Sequence, residues 1–151
     1  MSSSHKASPF QPAEWYSLAS WLFDTAPASS SECLRRTIIG RAYYAALICA
    51  RDATGSSTSG SNGHRNVVDA LWKCHNNTAA EKLDSLRLKR HKADYSTDQN
   101  ISPREVEIFL KDSRTVLREL GALPPNIPPH NKPYSCDFLD CSKFLVNSIK
   151  A

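Results

Sequence analysis

A chain of 151 residues has room for one domain with an ordinary hydrophobic core, so it needs neither disulfides nor a metal to hold it. Its net charge of +4 permits a polyanionic partner without requiring one, and no run approaches the roughly 20 apolar residues of a membrane span. Five cysteines scattered through a mixed sequence exclude a small secreted disulfide scaffold. With an N-terminus, MSSSHKASPF, that lacks an apolar signal core, a reducing cytoplasm is the expected compartment.

Pro12 opens a first helix whose apolar stripe is Trp15, Leu18, Trp21 and Leu22 at helical spacing. Ser29 followed by Glu32 has the form of a capping box, which starts a second helix running to about Asp52. That helix is the most apolar of the set and is expected at the centre, with Arg35, Arg36, Arg41 and Arg51 needing water, carboxylates or phosphate at its edges. TGSSTSGSNG, from Thr54 to Gly63, reads as a mobile polar loop. A third helix carries Val67, Val68, Leu71 and Trp72, with His64 at its start and His75 at its carbonyl end. Thr78 and Glu81 suggest a capping box for the fourth, on which Leu83, Leu86 and Ala93 face inward. Ser102, Pro103 and Glu105 supply an N-cap, an N1 proline and a capping acid for the fifth, and Gly121 stops it.

Five helices, polar loops and no alternating strand predict an all-α bundle over residues 10–121. Residues 122–151 read as a Pro-rich connector followed by a short terminal helix. His130, Cys136 and Cys141 could join His64, His75 or Cys74 around zinc, but their spacing fits no standard finger, and unliganded side chains are the expectation. No phosphate-binding glycine loop or nucleophile elbow is present in the sequence, and no cofactor is expected.

LRLKRHKADY, residues 86–95, is the densest functional locus. On a helix, Arg87, Arg90, His91 and Asp94 line one face that could hold a phosphate, with Lys89 and Lys92 beside it. Arg90 and Asp94 are also spaced for a local ion pair, which makes an internal polar network the alternative.

RAYYAAL at Arg41 to Leu47, His64 heading the next helix, and Arg90, Ala93, Asp94 and Tyr95 in an R-x-x-A-D-Y ending together resemble the HEPN superfamily of small helical bundles. The resemblance implies a homodimer that binds RNA or nucleotide through Arg41, His64, Lys89, Arg90 and Lys92. It also implies Asp94 and Tyr95 as structural motif residues. Family members often serve in toxin–antitoxin or phage-defence systems beside a nucleotidyltransferase-type antitoxin, and many are metal-independent endoribonucleases. The nucleases carry an Arg, about four to six residues, then a His. This chain departs from that pattern, with three residues between Arg87 and His91 and nine between Arg65 and His75.

Arg87 and His91 are nevertheless the candidate catalytic pair. Imidazole can take the proton of a ribose 2′-hydroxyl near neutral pH, and a guanidinium fork can stabilise the charge gathering on the phosphoryl oxygens. Binding is favoured over cleavage because of the spacing, and a non-catalytic protein-interaction module is a further alternative.

Overall fold

The computed structural model describes residues 10–26 and 31–123. Within them the chain is all-helical: α1 Glu14–Thr25, α2 Glu32–Thr54, α3 Gly63–Lys73, α4 Asn77–Tyr95 and α5 Pro103–Glu119. No strand occurs among the described residues. The predicted tail, with His130, Cys136 and Cys141, lies outside them, as does Ser29.

The expectation that α2 is central is met, since it packs against each of the other four helices. Ala42, Ala45, Ala46 and Ala50 are fully buried and let neighbouring backbones approach, while Ile38, Tyr43 and Leu47 fill the spaces between them. In α4 the expected Leu83, Leu86 and Ala93 face the core, and α5 buries Val106, Phe109, Leu110, Val116 and Leu117 at helical spacing.

Two phases differ from expectation. α1 buries Tyr16, Ala19 and Ser20, leaving Leu18 42% exposed, so the core-facing stripe is rotated from the one its largest side chains suggested. Aromatic size misled here, because Trp15 sits at the edge of the core rather than in it. Trp72 on α3 is likewise exposed.

The caps follow local side-chain chemistry. Ser31 caps α2 by accepting the Leu34 N–H at 3.2 Å, and Asn76 caps α4 by accepting the Ala79 N–H at 3.3 Å. Thr78 therefore lies inside the first turn of α4 rather than capping it. The α5 capping box forms as read: Ser102 Oγ accepts the Glu105 N–H at 3.2 Å, and Glu105 Oε2 accepts the Ser102 N–H at 2.7 Å.

Arg36 and Glu32 tie the α4–α5 connection to α2. Arg36 donates to the carbonyls of Ala93, Ser96 (3.1 Å) and Gln99 (2.7 Å), and its Nε holds Glu32 at 3.0 Å. Glu32 in turn accepts the Ile101 N–H at 3.0 Å. This arginine thus satisfies carbonyls at the end of α4 that would otherwise lack partners. Burial opposes ionisation of Glu32, but the Ile101 N–H and the two neighbouring arginines hold its carboxyl below the ordinary range.

Candidate functional site

One face of α2 carries Arg36, Thr37, Gly40, Arg41 and Tyr44, three or four residues apart, and α4 brings Arg90 and Asp94 alongside it. Between them runs an open groove of about 520 Å³. Gly40 on this face has no side chain, and a Cβ built there would meet nothing within 4 Å, so the space above it is free.

Arg90 joins the groove to the core. Its guanidinium carbon lies 5.8 Å from the Tyr43 ring centre and 5.3 Å from that of Tyr44, within cation–π range of both. Its Nη2 donates to Tyr44 Oη at 3.2 Å and pairs with Asp94 Oδ2 at 2.6 Å. Its Nε is buried and has no hydrogen-bond partner among the described residues.

Tyr43 lies behind this arginine with no exposed surface, and burial pushes its phenol well above the usual range. Its hydroxyl is 3.0 Å from His64 Nδ1, which fixes the imidazole ring against α2. Burial, followed by the fields of Arg90 and Arg87, lowers the pKa of His64 and favours its neutral form. His64 reaches this position because α3 begins tightly: a Cβ on Gly63 would fall 1.9 Å from the Thr58 carbonyl oxygen, so only glycine fits under the loop.

Aromatic rings continue the site outward. Tyr43 and Tyr44 are 5.5 Å apart between ring centres, Tyr44 and Trp15 6.3 Å, and Trp15 and Phe10 5.1 Å. Arg41 is exposed, lies 6.0 Å from the Trp15 ring, and has no carboxylate partner among the described residues.

The cations of residues 86–95 have separate fates. Arg87 donates to Asp84 at 2.8 Å, Lys89 reaches Asp112 at 3.5 Å, and Arg90 holds Asp94. Lys92 is exposed, in the field of Glu105. His91 is also exposed and packs on Tyr95 with ring centres 4.7 Å apart.

Arg41 and Arg90 thus line the groove, and His64 stands behind Tyr44. Arg87 turns to Asp84 and His91 to Tyr95, while Lys89 and Lys92 lie toward α5. Tyr43, Tyr44 and Trp15 belong to the site although the sequence reading placed them only in the RAYYAAL element and in an apolar stripe and did not name them as site residues. The signal was available in the tyrosine pair two residues after Arg41.

Cys33 also lines the groove as a free thiol, and no group of three or more His, Cys, Asp or Glu among the described residues could hold a metal. No helix among the described residues is long and apolar enough to cross a membrane. No family model matches the chain, and no curated protein or solved structure is significantly similar to it.

Proposed function

We propose that this chain is a HEPN-type RNA-binding protein that seats single-stranded RNA in the α2–α4 groove. The observation that carries the reading is Arg41, a guanidinium without a carboxylate partner among the described residues, beside the Trp15 ring at the groove's edge. A positively charged groove that tracks phosphates, next to aromatic faces on which bases stack, is the general solution for single strands. Arg90 on the α4 wall, bonded across to Tyr44 on α2, supplies a second donor set. The wider proposal is a cytoplasmic homodimer in a toxin–antitoxin or phage-defence system, with a nucleotidyltransferase-type partner, and it rests on the sequence resemblance.

Fluorescence anisotropy with a labelled oligoribonucleotide tests the RNA reading. Arg41→Ala and Trp15→Ala should each weaken binding about tenfold, and the wild-type affinity should fall steeply with salt. An affinity indifferent to both substitutions would sink it.

A second reading is metal-independent cleavage, and His64 favours it. A neutral imidazole held by Tyr43 in the field of Arg87 and Arg90 has the protonation state a general base needs. Incubating labelled RNA in chelator with wild type, His64→Ala and His91→Ala decides between the two histidines. Cleavage lost only in His64→Ala supports this arrangement, cleavage lost only in His91→Ala supports the Arg87–His91 pair, and an inert wild type leaves binding alone. Protein that neither retains nor cuts RNA would point instead to an interaction module.

A further inference from the structure

The Arg90–Asp94 pair does not stand in the core but in the wall of the groove, where the two side chains keep 19% and 30% of their exposure. Arg36, the third arginine of the lining, is committed to Glu32 and to the carbonyls after α4. Along the open part of the groove that leaves Arg41 and Arg90 against Asp94, with Arg41 the guanidinium that has no carboxylate partner among the described residues. Asp94 takes up part of the Arg90 fork that a phosphate would otherwise engage in bidentate fashion.

A monoanionic phosphodiester matches this single unpaired guanidinium. A terminal phosphate, which carries between about −1.5 and −2 at neutral pH, would set its second charge against the Asp94 carboxylate. We infer that the groove is a subsite for one internal phosphodiester of single-stranded RNA, and that Asp94, by occupying Arg90, sets the preference against a terminal phosphate. Arg41 supplies the free charge and Tyr44 a neutral hydroxyl on the α2 wall, Arg90 supplies cationic donors on the facing α4 wall, and the bare Gly40 backbone leaves room for the phosphate between the walls. Asp94 is thus a specificity-determining residue rather than only a partner for Arg90. This inference rests on the RNA-binding reading.

The test uses the full chain and a 3′-labelled oligouridylate prepared with either a 5′-hydroxyl or a 5′-phosphate. Wild type should bind the two within about twofold of each other, and Asp94→Asn should favour the 5′-phosphate probe about tenfold, since one more tenfold step corresponds to one good added charge contact. The variant's log–log salt slope on that probe should also steepen by about 0.7, the contribution of one further phosphate contact on a single strand. Wild type that prefers the 5′-phosphate, or a folded Asp94→Asn that does not discriminate, overturns the inference while leaving RNA binding standing. Wild type that binds neither probe overturns the RNA-binding reading itself.

If thermal melting shows that Asp94→Asn does not fold, Arg41→Gln decides, because Arg41 lies outside the Arg90–Asp94 pair. Its slope should become shallower by about 0.7 on both probes, and an unchanged slope overturns the groove as the phosphate subsite.

Discussion

The two sides of α4 carry similar residues into different chemistry. On the α2 side, Arg90 lies within cation–π range of two adjoining tyrosines, is paired with Asp94 and is set against a groove. On the outward side, His91 and Tyr95 lean on one another in solvent, and Leu88 is 56% exposed. Adjacent residues in one basic run therefore differ by whether a second helix faces them. An arginine beside α2 gains rings, a hydroxyl and a field of defined direction, whereas the histidine next to it gains only its neighbour one turn on. Charge density along a sequence locates the helix, but the partner helix decides which charge is usable.

The sharpest way to break this contrast is to loosen the α2 side. Arg36→Ala removes the donors to three carbonyls and one of the two arginines on Glu32, and it should cost about 2–3 kcal/mol in urea unfolding, as expected for losing charged hydrogen bonds. Tyr43→Phe should cost about 1 kcal/mol, since it deletes one hydrogen bond and leaves His64 Nδ1 without its partner. An NMR titration should show the His64 ring reorienting in that variant while the bundle stays folded.

Acid should act on Glu32 and His64 on the α2 side and on Glu105 in the α5 capping box. The folded pKa values of Glu32 and Glu105 lie below their ordinary value of 4.5, so these groups contribute stability that is present above that pH and lost as the pH falls through the folded values. His64 adds to the loss from the other direction. Its folded pKa lies below the ordinary 6.5, so stability is full above 6.5 and declines as the pH falls toward the folded value. Thermal melts from pH 7 downward should show a gradual decline beginning near 6.5 and a steeper one below about 4.5, and Glu32→Gln should flatten the lower limb. The smallest effect belongs to the outward side: His91→Ala and Lys92→Ala should each change stability by less than about 0.5 kcal/mol and RNA affinity by less than twofold.

Much of this bundle can be read from residue order. The α5 capping box, the apolar face of α2 and the inward Leu83, Leu86 and Ala93 follow from patterns a few residues long. The α1 stripe was set by its largest side chains, but Tyr16, Ala19 and Ser20 are what fit against the alanine-rich side of α2, a fact about the neighbour rather than about α1. Thr78 and Asn76 compete for one cap position, and their spacing to Glu81 about one turn on does not reveal which backbone turns first. The groove is less legible still. Arg41 and Arg90 could be named from the sequence, but Tyr43 meeting His64, Tyr44 meeting Arg90 and Arg36 reaching the residues after α4 join positions 21 to 63 residues apart. Those meetings depend on how the helices cross.

Gly63 has a consequence for handling the molecule. The stretch from Thr54 to Gly63 has the composition of a spacer, the usual choice for inserting a tag, a protease site or a new chain terminus. Here its two ends are tied down: Gly55 takes a left-handed φ of 63° to close α2, and the Thr58 backbone rests where a Gly63 side chain would be. Ser57 and Ser59 bond each other between those anchors, at 2.6 Å. The segment works as a gauge block that sets the distance from the end of α2 to His64. Lengthening it would shift the histidine relative to Tyr43, so the helices could survive such an insertion while the site between them lost its alignment.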